Sequence, residues 1–378
     1  MRIIFVIDQV HTHGGIERVL SIKANYLAKN VDNKIFIITT EQKGIPPCYE
    51  FSSNIVFIDL GVNYERNISY FHPKNLKRLP KHILGIRSQI KKIQPDVLVV
   101  CSHSTDTYFM PFISKSVPKV KEFHYSKHIE VAARTNTRSK FKKYFFRFAD
   151  YVERKYDKLV VLNKDEKNYY RSNNTIVIPN PLTFYPQKTA TLDTNIAIAV
   201  GRLAPVKGYD ILIDIWNLFA FDKKDYELHI YGTGDEAYVK KLQDKIDGYG
   251  LQKSIILKGA SDTIQEKMLD AAVFLMTSHN ECFPLVLLEA QACGLPIVSF
   301  DCPNGPRNII HDKVDGELIR LHDNDRFANR LSILFEDVNQ LKKMGIHARN
   351  NASKYKVDII MEQWIHMFKS LIKLKNNK

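Results

Sequence analysis

Two glutamates eight residues apart carry the first chemical signal in this chain. The stretch Glu281-Cys282-Phe283-Pro284-Leu285-Val286-Leu287-Leu288-Glu289-Ala290 follows an apolar run, Val273 to Met276, that reads as a strand, and a polar loop, Thr277 to Cys282. Pro284 suits the start of a helix, because the N–H it lacks is one the first turn leaves unpaired. Glu281 then lies in the loop and Glu289 in the helix's second turn. A helix N-terminus at the carboxyl end of a strand offers free N–H groups and partial positive charge, which is where doubly wound sheets hold phosphate. Carboxylates flanking that point suit neutral hydroxyls better than phosphate, and a nucleotide sugar has that layout, with ribose, diphosphate and hexose in line. A buried helix with a solvated glutamate at each end fits the same ten residues.

Other residues bear on the choice. Val200-Gly201-Arg202-Leu203-Ala204-Pro205-Val206-Lys207-Gly208 follows another apolar run, so Arg202 offers a planar fork and Lys207 a point charge at a strand's carboxyl end. Taken alone they are two surface cations; paired with the glutamates they favour a diphosphate. Gly14-Gly15-Ile16-Glu17-Arg18, between a first strand and a first helix, lets the backbone approach an anion, although a bare glycine pair is also an ordinary turn. His124 follows the strand Val120–Phe123 and His103 follows another; either could meet hydroxyls or move a proton, or be structural. His124 and His128 have helical metal-ligand spacing, with His11 and His13 elsewhere in the same half, yet no carboxylate completes a zinc pattern. Asp323-Asn324-Asp325 has an Asp-x-Asp form used to hold metals, but it precedes a helix from Arg326 and reads as a cap. Gly232-Thr233-Gly234 lacks the third glycine of a dinucleotide fingerprint, since position 237 is Ala. No metal and no bound cofactor is expected.

The elements that must position these residues alternate along the chain. Strands are expected at Ile3–Ile7, Lys34–Thr39, Val56–Leu60, Val97–Cys101, Val120–Phe123, Leu159–Leu162 and Thr175–Ile178, with helical patterns at Glu17–Lys29, Leu76–Lys92 and Lys140–Lys155. Pro179-Asn180-Pro181, Pro186 and the polar run Gln187–Asn195 interrupt the rhythm, placing a boundary near 180–194. It restarts with Ile196–Val200, Glu227–Tyr231, Ser254–Leu257, Val273–Met276, Pro296–Ser299 and Glu317–Ile319. A mainly parallel sheet in each half follows, hence two Rossmann-like domains, 1–182 and 183–356. A last helix, from Val357 to about Leu374 within 357–378, has Ile360, Trp364, Met367 and Leu371 on one side and is expected to return to the first domain.

Length and charge agree with two domains and add an asymmetry. The chain has 378 residues, 44% hydrophobic and 25% charged, as soluble globular proteins do. Residues 1–182 hold 30 Lys+Arg against 16 Asp+Glu, while residues 183–378 hold 25 of each, so the whole net charge of +14 sits in the first half. That points to an anionic partner of one half: a phospholipid surface, a lipid-linked diphosphate or a nucleic acid. Lys115 to Arg147 alone carries ten basic residues, interleaved with Phe141, Tyr144, Phe145 and Phe148 at helical spacing. Such a helix either lies on an anionic membrane or buries its rings in the core. Cys48, Cys101, Cys282, Cys293 and Cys302 form no Cys-x-x-Cys pair and read as reduced thiols of a cytosolic protein. The N-terminal apolar run is too short for a signal peptide, and no stretch approaches the roughly 20 apolar residues that span a bilayer, so membrane contact is expected to be peripheral, at the inner face of the cytoplasmic membrane.

In order and spacing, Gly14-Gly15, His124, Gly201-Arg202 with Lys207, and Glu281 eight residues before Glu289 resemble the retaining glycosyltransferases of family four, which have the GT-B fold. Leu285 to Val298 resembles that family's most recognisable segment, and Cys302-Pro303-Asn304-Gly305-Pro306-Arg307 the loop after it. The resemblance implies two Rossmann-like domains facing across a cleft, no bound metal, and a nucleotide-sugar donor. It implies that Gly14 and Gly15 meet the diphosphate, that Arg202 and Lys207 neutralise it as it leaves, that Glu289 binds ribose and Glu281 and His124 the donor sugar. Amides from Phe283, Pro284, Leu285 and Val286 complete those contacts, and Lys258 lies near the base. Cys282 departs from the glycine common in the family. The expected activity is transfer of a hexose, UDP-linked, to a saccharide or lipid-diphosphate acceptor in bacterial surface polysaccharide synthesis. A GT-B sugar-nucleotide epimerase is the enzymatic alternative; a nucleic-acid-binding protein using the basic half is the other, although no recognised nucleic-acid module is apparent.

Overall fold

The computed structural model describes residues 1–220 and 225–377. It divides into two compact units, Met1–Pro181 with the C-terminal helix, and Leu182–Lys356. Lys378, the last residue of the expected 357–378 helix segment, lies outside the described residues.

The first unit is built on seven strands: β1 (Arg2–Ile7), β2 (Lys34–Thr39), β3 (Val56–Asp59), β4 (Val97–Val100), β5 (Lys119–Glu122), β6 (Lys158–Val161) and β7 (Thr175–Val177). They pair in the order β3-β2-β1-β4-β5-β6-β7, every pairing parallel. Helices on the sheet's faces make the central strands apolar throughout, so Val97, Leu98, Val99 and Val100 are all fully buried. The expected Leu76–Lys92 helix is two pieces, Pro73–Leu76 and Leu79–Ile93, the second opening with Pro80 in its first turn. The C-terminal helix Val357–Asn376 packs on the helix Gly15–Ala28, burying Ile360, Met361, Trp364, Met367, Phe368 and Leu371 along one stripe. Trp364 lies over the Lys23 ammonium, 4.4 Å from ring centroid to Nζ.

The second unit has six strands: β8 (Ile196–Val200), β9 (Glu227–Tyr231), β10 (Ile255–Gly259), β11 (Val273–Met276), β12 (Ile297–Phe300) and β13 (Gly316–Ile319). Their order is β10-β9-β8-β11-β12-β13, again parallel. Both sheets therefore reverse their strand order once, between β1 and β4 and between β8 and β11. At such a switch point the loops leaving neighbouring strands part to opposite faces and leave a crevice at the carboxyl edge. Two parallel-sheet Rossmann-like units in one chain make this an α/β protein of the GT-B architecture.

Candidate functional site

The loops leaving β8 and β11 carry Arg202, Lys207 and Glu281, and they are tied to each other at the switch point. The His279 N–H donates to the Val206 carbonyl at 2.9 Å, and Thr277 Oγ1 donates to the Gly208 carbonyl at 2.9 Å. Gly208 permits this approach for two reasons: its φ is +65°, and a Cβ there would stand 2.3 Å from the Thr277 carbonyl oxygen. Held so, Lys207 Nζ donates to Glu281 Oε1 at 2.6 Å, and Ser278 Oγ donates to the same oxygen at 2.8 Å. Lys207 and Glu281 remain 26% and 11% exposed, so water still reaches the pair. Arg202 is exposed on the same edge, with no side-chain partner among the described residues.

The backbone at Glu281 is pinned from the other side by a parallel bridge to Asn304. Gly305 makes room for it, since a Cβ at that position would fall 2.5 Å from Glu281 Cβ. Cys282 and Phe283 are buried, and Phe283 packs on Tyr355 with centroids 5.9 Å apart. Pro284 is the N-cap of the helix Leu285–Ala292 and has no N–H, so only Phe283, Leu285 and Val286 of the four expected donors can donate. Leu285 and Val286 stand in the first turn, where N–H groups have no intrahelical acceptor. Glu289 is buried and accepts from Thr183 Oγ1 at 2.5 Å. That contact is held by the Leu182 N–H donating to the Tyr355 carbonyl at 2.8 Å. Lys258 is exposed on β10, two strands from β8 at the rim of the sheet. Burial, with the Glu281 carboxylate adding to it, pushes the Cys302 thiol up to about 12, so Cys302 stays a neutral neighbour of the pair.

In the first unit Gly14 is the extended N-cap of the helix Gly15–Ala28, and Gly15 is exposed at its first turn. The Glu17 carboxylate folds back beneath Gly14 and accepts from Gln9 Nε2 at 2.7 Å. His124 stands two residues beyond β5, one strand further from the switch point than Gly14 and Gly15. Its side chain is 5% exposed, and its Nε2 lies 2.7 Å from Glu122 Oε2. The other Glu122 oxygen takes the Lys23 ammonium, itself under Trp364. Burial alone would raise Glu122, but Lys23 and His124 outweigh it and hold the carboxyl at about 2. Burial lowers His124 below its ordinary value, the Glu122 contact only partly opposing it. An ionised carboxylate can only accept, so neutral His124 carries its proton on Nε2 and presents Nδ1 as an acceptor. His103, by contrast, is half-buried and packs against Tyr125 at 4.6 Å; desolvation, with Lys121 and His124 adding to it, holds it well below its ordinary value.

Several residues passed unnoticed in the sequence. Glu122 stood two residues before His124 in a strand pattern, but Lys23 is remote and only the fold joins them. Asp8, just past β1 at the switch point, is raised to about 7 by burial, with the neighbouring Asp106 carboxylate contributing. Asp323 is the N-cap expected, its side chain accepting from the Arg326 N–H at 3.3 Å. The basic stretch divides: Lys119, Lys121, Lys127 and Arg134 are spent on carbonyls or carboxylates inside the unit. Phe145 packs on Phe71 and Tyr108, and Phe148, half-exposed, stacks on the same Tyr108, while Phe141 and Tyr144 face outward.

Comparison with known proteins bears on this arrangement directly. Residues 183–351, nearly the whole second unit, match the family model described as glycosyl transferases group 1. The second unit is similar to glycosyl transferases group 1 over nearly its whole length. The switch-point pair Lys207–Glu281 and the buried Glu289 all lie within the matched region. The amylovoran biosynthesis glycosyltransferase AmsD of Erwinia amylovora is 26% identical over 375 residues, covering 96% of this chain and 98% of that protein. A poly(ribitol-phosphate) alpha-N-acetylglucosaminyltransferase of Staphylococcus aureus is 30% identical over 218 residues, covering 56% of this chain and 42% of that protein. Among solved structures, HepE of Anabaena in complex with UDP superposes with a TM-score of 0.75 at 19% identity, covering 98% of this chain and 100% of that one. That likeness establishes the fold.

Proposed function

We propose that this protein is a retaining glycosyltransferase that moves a hexose from a UDP-sugar to a saccharide or lipid-diphosphate acceptor in bacterial surface polysaccharide synthesis. The observation that carries the reading is the Lys207–Glu281 pair at the switch point of the second unit, with Arg202 exposed on the same edge and without a side-chain partner among the described residues. Without donor, Lys207 and Glu281 neutralise each other. A bound donor gives each a new partner: the diphosphate takes Lys207 and Arg202, and the sugar's hydroxyls take Glu281. Glu289 and the first-turn amides of Leu285 and Val286 are assigned to the ribose and phosphate end, and Lys258 near the base. Gly14, Gly15 and His124 of the first unit are assigned to the donor by family resemblance alone. The named relatives, which make amylovoran or modify poly(ribitol-phosphate), support an acceptor of bacterial surface glycopolymer type, and the UDP in the HepE complex supports a uridine donor.

In this reading the bond from the sugar's anomeric carbon to the diphosphate oxygen breaks, and a bond to the acceptor oxygen forms on the same face. The acceptor's proton passes to the departing phosphate oxygen, and no metal is required. Catalysis rests on holding the charge that grows on the diphosphate, so removing Arg202 or Lys207 by alanine substitution is expected to cost on the order of 3 kcal/mol, a hundredfold or more in turnover. A thermal-shift panel of nucleotide sugars identifies the donor, since a ligand at a hundred times its dissociation constant stabilises the native state by about 2.7 kcal/mol. Product anomers read by NMR then test retention. An inverted linkage, or unchanged turnover in both Arg202→Ala and Lys207→Ala, would overturn the proposal; donor consumed without any acceptor would point to the epimerase.

A further inference from the structure

The helix Lys140–Glu153 has two apolar sides, and the fold fully buries only one. Ala149 and Val152 are buried and Phe145 packs inward. On the other side Phe141, Tyr144, Phe148 and Tyr151, spaced i, i+3, i+7 and i+10, are 80%, 67%, 44% and 49% exposed. Lys140, Lys143 and Arg147 are exposed beside them, and Arg154 and Lys155 just past the helix end. The helix's two carboxylates are turned away from this face. Asp150 takes the Arg134 guanidinium and Glu153 takes Lys127 Nζ at 2.6 and 2.7 Å. The outward face is therefore rings and cations with no free acid.

At the helix's C-terminal end a recess of about 290 Å³ continues this character. Its walls are Phe112, stacked on Tyr151 at 6.0 Å, and the lysines Lys115, Lys155 and Lys375, with Asp157 the one acid in the lining and Lys119 buried at its base, its ammonium taken by the Ser114 and Val117 carbonyls. Asp157 is already engaged, by Lys375 at 3.2 Å and by the Lys119 N–H at 2.8 Å. Lys119 and Asp157 stand at the amino ends of β5 and β6, so the recess lies at the sheet edge opposite the one that carries Gly14, Gly15 and His124.

We propose that the ring-and-cation face of the helix Lys140–Glu153, with the lysine recess at its end, docks on a bilayer containing anionic phospholipid. The rings seat at the boundary between headgroups and acyl chains, the flanking cations meet lipid phosphates, and the recess holds one such phosphate. Rings and cations sharing one face of a surface helix is the composition of helices that lie in the membrane interface. A single-stranded nucleic acid also pairs with rings and cations, but in a groove that tracks its backbone, and this face is the convex side of a helix. None of the described helices is long and apolar enough to cross a membrane, so the attachment is peripheral. The inference does not depend on the proposed chemistry.

Flotation of the full-length protein with phosphatidylcholine vesicles, with and without phosphatidylglycerol, tests it. The protein is expected to float with the anionic vesicles only, and less so as salt rises, because each cation near the surface is worth about fivefold in partitioning. Replacing Phe141 and Tyr144 together by Ser should cut that partitioning at least about tenfold with melting unchanged, since both project from the fold. Lys115→Glu with Lys155→Glu should weaken it similarly. A Tyr144→Trp variant should shift its emission to the blue on vesicles. No flotation at low salt, a double-Ser variant that floats like the parent, or preferential retention of single-stranded RNA over vesicles would each overturn the assignment.

Discussion

At the scale of single residues, the chain Trp364–Lys23–Glu122–His124 sets the state of the one histidine expected to meet substrate. Burial is the main cause that holds His124 low, and the Lys23 and Lys121 ammoniums add to it, so in Lys23→Met the imidazole is expected to titrate at somewhat higher pH while staying depressed, read by NMR of the His124 ring. The same change strands a buried carboxylate and is expected to lower stability by about 3 to 5 kcal/mol in urea unfolding. Glu122 gives the pH dependence its sign. Its folded pKa of about 2 lies below its ordinary 4.5, so the stability it contributes is fully present above about 4.5 and is lost as pH falls toward 2. Glu122→Gln should therefore destabilise by roughly 3 kcal/mol at pH 7, and the gap to the parent should narrow through that acid window, as denaturant titrations at several pH values will show. Asp8 runs the other way: raised to about 7, it favours the protonated form and opposes folding increasingly as pH climbs from about 4 through 7.

At the scale of elements, the site in the second unit is a joint between two strand-to-helix loops, and Gly208 is where they touch. Alanine there must hold a left-handed φ and place its Cβ 2.3 Å from the Thr277 carbonyl oxygen. Gly208→Ala is expected to cost about 2 kcal/mol or more in thermal stability and, by parting Lys207 from Glu281, to weaken donor binding in the thermal-shift assay. The helix Leu285–Ala292 owes its position to burial on nearly all sides, which fixes Glu289 more firmly than a surface helix would. A loop that carried Glu281 without the bridge to Asn304 would lack that precision.

At the scale of the molecule, the second unit is one continuous segment, Leu182–Lys356, whereas the first is completed by the chain's last helix. The segment 182–356 expressed alone is expected to melt cooperatively. Residues 1–181 alone leave the surface that buries Trp364, Phe368 and Leu371 open to water and are expected to fold only when the helix 357–376 is supplied, by fusion or as a peptide, as circular dichroism melts will report.

The sequence by itself determined the thirteen strands and the two parallel α/β units, because strands buried in such sheets read as short apolar runs and turn residues bound them; GT-B came from the family resemblance of its motifs. It also marked Arg202, Lys207 and Glu281, because these stand in loops past strands where a parallel sheet must present them, and Glu289, because it sits in the helix that follows. The break at Pro80 and the inward turn of Lys119, Lys121 and Lys127 were not legible, since a lysine's local pattern is the same whether its ammonium meets water or a distant carboxylate. Likewise the aromatic spacing of Lys140–Glu153 did not say which rings the core would take. Only tertiary structure decided that Lys207 lies against Glu281, that Lys23 reaches Glu122 across 99 residues of chain, and which nitrogen of His124 carries the proton. Partners of that kind are chosen by strand order, which brings remote loops to one edge and leaves no trace in the spacing of either.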